Sequence, residues 1–446
     1  MTANVELRDM RYLNRPLLVF PMLVVLGLIP LLGSYSLSLS FEPRAVVWQD
    51  AQQIVQTEPG MFYYVWYLRP KVAAANGQAF VVWQDFNLSS LDKMVFFSSF
   101  DGTEWQSPIP LDLNTSCTPN PDIAAEKGHI YVVWASREQP NGDININYGY
   151  YDDTMWLPVI DVGMGGNFPK IVAEQNHLHL IWRAGGLYYR HFDGTTWQPP
   201  VQIGFTNQSS EFIGPPALTV VEGTIHVVWA QEKPTYGIYY QQFNGLSWQP
   251  PELISSFGRN PSVSAGKDSV HVVWEVAKGA QREFDIYYRR FHGSAWESPL
   301  GLSPKGSETF EEKHLPAIVE RQGRLYVVWF DFFLTAEGKH NVYGGAIMFC
   351  HYDGTTWFPE EILQEEIRQE AGYPTLAVDS TSLHLVWVNR DVTGEVSGIF
   401  YREGIIQVES ISETSEFVSV SEGILCFTVL VPLILHLIKR RKKKPP

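Results

Sequence analysis

Seven times along this chain a proline is followed 13 residues later by a tryptophan: Pro70 and Trp83, Pro121 and Trp134, Pro169 and Trp182, Pro216 and Trp229, Pro261 and Trp274, Pro316 and Trp329, Pro374 and Trp387. The interval never varies. Two residues after each proline stands an apolar residue (Val72, Ile123, Ile171, Leu218, Val263, Ile318, Leu376), and an apolar pair precedes each tryptophan. Two short runs about a polar turn such as Glu126-Lys127-Gly128 predict a hairpin. A hairpin repeated this way cannot bury its own faces, so the copies must stack on one another.

Each copy continues with a third β-rich run, such as Leu187-Tyr188-Tyr189 or Ile286-Tyr287-Tyr288. A turn of the form Asp-Gly-Thr-x-Trp follows, complete at Asp101–Trp105, Asp193–Trp197 and Asp353–Trp357 and looser before Trp156, Trp248 and Trp296. Glycine after aspartate supplies the permissive backbone of a tight turn. A fourth run follows the second tryptophan, as in Gln198 to Ile203. The unit is a four-stranded meander of 45 to 58 residues, the size of a propeller blade. The fold class expected is therefore all-β, a seven-bladed β-propeller of four-stranded antiparallel blades. The last unit lacks its fourth run, and Trp48 to Ile54 matches Trp197 to Ile203 in spacing. The first strand of the chain is expected to complete the last blade. That count assigns 14 of the 15 tryptophans to two recurring places and leaves Trp66 over. Residues recurring at fixed strand positions are packing residues before they are a sugar cage.

The two ends of the domain carry apolar runs. Residues 17–33 are uncharged, follow Arg8, Arg11 and Arg15, and lead into a serine-rich stretch. That layout predicts a signal peptide or a signal-anchor helix over residues 1–40, with cleavage near Ser36 to Ser40 if it is removed. Residues 41–410 form the propeller and 411–422 a linker. Gly423 to Ile438 is a 16-residue apolar run, roughly 24 Å as a helix, and Lys439 to Lys444 are all basic. A transmembrane helix over 423–438 with a cytoplasmic basic tail at 439–446 follows from the positive-inside rule. The expected location is the cell membrane, with the propeller outside and membrane lipid around the C-terminal helix. Sequons at Asn87, Asn114 and Asn207 suit that side.

Between the apolar ends stand 24 Lys and Arg against 45 Asp and Glu, a net charge of −21. Such a surface repels phosphate backbones and excludes nucleic acid as the expected partner. Cys117 and Cys350 fall in different repeats and Cys426 in the C-terminal apolar run, so no disulfide framework is written in the chain. His179, His226, His271 and His384 all stand three before a tryptophan, but Phe80, Tyr131 and Tyr326 hold the same place elsewhere. A position that accepts His, Phe or Tyr needs a flat ring, not a metal ligand. Asn141 to Asn145 lacks the glycine and terminal acid of a calcium loop. No cofactor and no metal are expected.

In a meander the first-to-second and third-to-fourth turns share one face, and the remaining loops share the other. The first face is uniform. On the second, the gap between the two tryptophans of a blade runs from 15 to 28 residues, and that from the second tryptophan to the next proline from 13 to 22. Variation on a rigid repeat concentrates where binding is built. Polar residues just after the first tryptophan and just before the proline should ring this face. The candidate ligand-binding residues are Arg69, Asp85, Arg183, Glu275, Asp331, Tyr373, Arg390 and Asp391, with Asn260 and His314 beside them. No catalytic residues are assigned.

At its Asp-Gly-Thr-x-Trp turns, most clearly over Leu187 to Trp197, the chain resembles the sialidase-like (BNR or Asp-box) propellers across roughly residues 41–405. The resemblance implies a propeller. It departs from that family in that Asp and Gly are adjacent, seven units are counted where its sialidases have six, and the Arg-Ile-Pro motif is absent. Sialidase chemistry would require an arginine cluster, such as Arg69, Arg183 and Arg390, and a tyrosine nucleophile such as Tyr373. Propeller lectins with repeated tryptophans are a second resemblance. The function expected is a membrane-anchored extracellular module binding glycan or protein. A sialidase-like glycoside hydrolase and a structural subunit of a surface complex are the alternatives.

Overall fold

The structure, a computed structural model, describes residues 46–56, 68–86, 93–113, 115, 118–137, 142–204, 211–212, 214–233, 235–278, 283–303, 311–337, 340–367, 369–391 and 397–407. The expected signal segment, linker, transmembrane helix and tail lie outside these residues, as do the three sequons, Cys117, Cys426 and Trp66. Among the described residues no helix is long and apolar enough to cross a membrane.

The described residues form a seven-bladed propeller. Blade 1 pairs Lys71–Ala75, Gln78–Phe86, Lys93–Phe100 and Ile109–Asp112 in sequence order, all antiparallel. Blades 2 to 6 repeat that meander, their innermost strands beginning at Asp122, Asn167, Ala217, Arg259 and Glu311. Blade 7 runs Gln369–Val378, Ser382–Asp391 and Gly398–Ile406, and its outer edge is supplied by Val46–Trp48 and Gln52–Gln56 from the start of the chain. The amide of Gln49 donates to Glu403 O at 2.7 Å, and the Arg402 guanidinium bridges Gln49 O to Leu363 O of blade 6. The expected closure is the observed one.

Alternation explains where the core sits. The residue two after each repeated proline is buried between blades, from Ile171 at 3% exposed to Leu218 at 9%. The seven first tryptophans are all 0–1% exposed. Each lies in a cluster with the preceding blade: Trp134 with Phe80, Val82 and Val95, Trp229 with Ile181 and Leu187, and Trp83 with Val386, Ile399 and Tyr401 of blade 7. Burying a tryptophan removes roughly 150–250 Å², about 4–6 kcal/mol each as an upper bound at ~25 cal/mol/Å².

The second tryptophans behave differently. Each is half-buried and stands edge-on against the third-strand aromatic of the blade before it. Trp156 meets Phe97, Trp197 meets Tyr148, Trp248 meets Tyr189, Trp296 meets Tyr240 and Trp357 meets Tyr288. The ring closes through Trp48 on Phe349 and Trp105 on Tyr401. All seven centroid separations fall between 4.9 and 5.4 Å. The fourth strand is shorter than the sequence suggests. Trp197 makes one isolated bridge to Phe192, and pairing resumes only at Val201, because Pro199 and Pro200 have no N–H to give a ladder.

The uniform face is stapled by carboxylates. Asp193 Oδ1 accepts from Thr195 N, Thr195 Oγ1 and Thr196 N at 2.6–2.9 Å, and Asp101, Asp152 and Asp353 repeat the motif. The hydroxyl of Thr103, with the backbone amides beside it, holds Asp101 down to about 2. Acids of one blade also grip the hairpin turn of the next: Glu126 accepts from Gln175 N and Asn176 N, Glu174 from Gly223 N, and Asp379 of blade 7 from Gly77 N of blade 1. The four histidines that stand three before a tryptophan contact third-strand tyrosines through Nδ1: His179 with Tyr189, His226 with Tyr240, His271 with Tyr288 and His384 with Tyr401, at 2.8–2.9 Å.

Candidate functional site

The opposite face is built from the residue that precedes each proline. Arg69, Asn120, Phe168, Asn260, Leu315 and Tyr373 all have φ between 42° and 55°, and blade 4 places Gly214 at 73° before Pro215. Proline disfavours the right-handed helical region for its predecessor. A left-handed side-chain-bearing residue costs about 1–2 kcal/mol. The register of the innermost strand skips two residues there, as between Asn167 and Lys170 or between His314 and Ala317. Each X–Pro pair is thus a bulge that turns its first side chain toward the mouth of the ring. Six such residues in one ring mark a strained place held by its surroundings.

The bulges are linked side chain to side chain. Arg69 Nη1 donates to Asn120 Oδ1 at 2.6 Å, and Asn120 Nδ2 donates to Asn167 Oδ1 at 2.7 Å. The Arg69 guanidinium also lies over the Tyr373 ring, 5.8 Å from its centroid. On the other side Arg183 Nη1 donates to Gly214 O at 2.7 Å and its guanidinium lies 5.3 Å from the Phe168 centroid. Burial lowers the Arg183 pKa from its ordinary value. A Cβ on Gly214 would meet Asn260 Oδ1 at 2.3 Å, so only glycine lets blade 5 approach there.

Glu275, directly after Trp274, is wholly buried. Its Oε2 accepts from Arg259 Nε at 3.1 Å and His314 Nδ1 at 2.7 Å, and its Oε1 from the Asn260 amide and, at 3.4 Å, from Leu315 N. Arg259 stacks 4.0 Å from the Phe284 centroid, and Phe284 in turn packs on His314. In blades 1, 3 and 5 the residue after the first tryptophan therefore serves as a clamp on the next blade's bulge, whereas blades 2, 4, 6 and 7 place Ala135, Ala230, Phe330 and Val388 there. Gln84 does the same by accepting from Asn120 N at 3.0 Å, and Arg183 by donating to Gly214 O.

The structure thus divides the sequence candidates. Arg69 and Tyr373 stand together at the mouth, half-buried, with Asn120 and Asn167 continuing the belt. Glu275 and Arg183 are turned into clamps that position the bulges. Asp85 is half-buried and Asp331 buried, both on second strands. Arg390 and Asp391 end the second strand of blade 7 opposite Glu370 and Gln369, and their side chains lie outside the described residues. Arg69 and Arg183 engage different partners. Asn260 and His314 are bound to Glu275.

Sequence reasoning missed the next level down. The residue one after each proline stands beside the buried one and borders the channel. Those positions are Lys71, Asp122, Lys170, Ala217, Ser262, Ala317 and Thr375, and they line a cavity of about 260 Å³ together with Asn260 and Tyr373. Lys170 Nζ pairs with Asp122 Oδ1 at 2.9 Å, and Asp122 Oδ2 accepts from Ile171 N at 3.0 Å.

No family model and no curated protein matches the chain. Among solved structures it is similar to the β-propeller domain of the Trilobed protease from Pyrococcus furiosus, with 9% identity and a TM-score of 0.46 over 77% of this chain and 97% of that one. It is also similar to the polysaccharide lyase Uly1, with 10% identity and a TM-score of 0.47 over 75% and 89%. A third is the fungal lectin from Aleuria aurantia, with 14% identity and a TM-score of 0.40 over 66% and 94%. At these identities and scores the matches assign no ligand and no activity.

Proposed function

We propose that the protein is a membrane-displayed binding module that takes a glycan across the mouth of its channel. The observation that supports this most is the belt from Tyr373 through Arg69 and Asn120 to Asn167, set on a ring of strained X–Pro bulges. Guanidinium and amide groups offer the planar donors and acceptors that sugar hydroxyls need, and an aromatic face offers an apolar surface to a sugar ring. The apolar, base-flanked ends of the chain support display at the outer membrane surface.

Binding is preferred to hydrolysis because two carboxylates on this side are already committed. Glu275 accepts four donors inside the protein, and both oxygens of Asp122 are taken. Two-carboxylate glycoside hydrolysis needs a carboxyl pair free to move protons at the sugar; the sialidase route needs an arginine cluster, and Arg69 and Arg183 engage different partners.

The full-length chain in nanodiscs, applied to a glycan array, is expected to retain at least one glycan class. Arg69→Ala and Asn120→Ala should each weaken that signal at least tenfold, while Thr195→Ala on the opposite face leaves it unchanged. A silent array, or equal retention by all variants, overturns the proposal.

A further inference from the structure

Among the described residues, one amine in the channel, Lys71, makes no ion pair of its own. Asp122 lies between the two lysines in blade order, and it is spent on Lys170 and on the Ile171 amide. Among the described residues no carboxylate comes within ion-pairing distance of Lys71. The opposite wall at the same level is small: Ala217, Ser262 and Ala317 leave the space that the lysines face. Ser262 Oγ already accepts from Ile318 N, which leaves its own O–H to donate into the cavity. A cationic wall, a hydroxyl donor and a cavity of about 260 Å³ are the parts of an oxyanion pocket.

We propose that the central channel is an oxyanion subsite in which Lys71, backed by Lys170 and Ser262, receives a carboxylate or sulfate group. Set behind the mouth, it deepens the glycan reading and rests on it for one point only: the anionic group is carried by a uronate or sulfated sugar. The subsite itself stands on the channel geometry. The lining carries two lysines against one aspartate, on a chain whose central segment carries −21.

The electrostatics suit an anion beside Lys71. Burial, then repulsion from Lys170, lowers Lys71 to about 7; Asp122 pulls it back up, and Arg69 lowers it further. Tyr373 is the remaining titratable side chain on the channel wall. A bound oxyanion would restore the proton to Lys71, so binding near pH 7.5 must take up a fraction of a proton.

The test is calorimetric titration of the full-length protein in detergent with sodium sulfate, sodium glucuronate and glucose, in buffers of different ionisation enthalpy. Sulfate and glucuronate are expected to bind with proton uptake at pH 7.5 and to weaken as pH rises above 8. Lys71→Met should weaken both at least tenfold. Lys71→Arg, which keeps the charge, should retain binding and abolish the proton uptake, a result that misfolding cannot mimic. Lys267→Met, at an exposed turn, should behave as wild type. Sulfate that fails to bind, or that binds Lys71→Met as tightly, overturns the subsite. A neutral glycan held on the array without sulfate binding sinks the subsite and spares the glycan reading. Sulfate binding with a silent array does the reverse.

Discussion

Lowering the pH from 7 to 5 should destabilise this propeller steeply, and replacing one buried histidine should remove a predictable share of the effect. Burial lowers His226 to about 4; burial, then the His191 and His177 rings, lowers His179 to about 3, and burial, then the Arg290 guanidinium and the His292 ring, lowers His271 to about 3. In the unfolded chain each titrates near 6.5. The folded values lie below the unfolded ones, so the stability these groups contribute is complete above about pH 6.5 and is lost as pH falls toward 3–4. Between pH 6 and 5 the unfolded chain binds nearly one proton more per histidine. That gives about 1.2–1.4 kcal/mol per pH unit for each and roughly 4 kcal/mol for the three, against a typical total stability of ~5–15 kcal/mol. His226→Phe is the cleanest perturbation, because Phe80 already occupies that place in blade 1, stacked on Phe97. Tyr240 also keeps a partner after the change, since its hydroxyl donates to Gln242 Oε1 at 3.2 Å. Urea unfolding followed by tryptophan fluorescence at pH 7, 6 and 5 should show the slope of stability between pH 6 and 5 fall by about 1.2 kcal/mol per pH unit in the variant. Equal slopes in variant and wild type would refute the assignment of buried neutral histidines.

Four further variants have defined outcomes. Glu275→Gln should cost about 1–3 kcal/mol in thermal or urea unfolding, because it removes the carboxylate that accepts from Arg259 and His314 and sets an amide donor against one of the donors it now faces. Gly166→Ala should destabilise by about 1–3 kcal/mol or more, since a Cβ there would lie 2.1 Å from Trp182 Cδ1. Gly301→Ala, which would meet nothing within 4 Å, should be near neutral in the same assay. Asp379→Asn should lower the urea midpoint at pH 7 and flatten the acid limb below pH 4: although burial raises its pKa, the His384 hydrogen bond and the Thr381 and Ser382 amides bring it below the ordinary carboxylate range, so its contribution is full above about pH 4 and lost as pH falls.

The ring was legible because its packing is periodic in sequence. The invariant interval from proline to tryptophan is the length of one hairpin, and every unit presents the same residue to the same neighbour. Closure was legible too, since Trp48 stands in the register of Trp197. The site was only half legible. Arg69 and Tyr373 could be read because they precede the repeated proline. That the same position is left-handed, and therefore aims at the mouth, is a backbone fact with no composition signature among Arg, Asn, Phe, Leu and Tyr. Glu275 and Arg183 carry the charges of ligand residues but turn sideways to clamp the next bulge, because the position after the tryptophan faces a neighbouring blade. Lys71 and Lys170 were discoverable by alternation, one residue inward from the buried position.

Everything else stands on the closed ring, and its closure can be tested with two cysteines. Val47 and Ile405 are register partners on blade 7, and both side chains are exposed. Directly opposed antiparallel residues have Cα atoms about 4.5–5.5 Å apart, inside the range a disulfide spans. In the Val47→Cys, Ile405→Cys double variant, peptide mass spectrometry after mild oxidation should recover the 47–405 disulfide within one chain, with a raised urea midpoint. Free thiols at both positions, or a bond only between molecules, would contradict the borrowed strand and the seven-bladed ring with it.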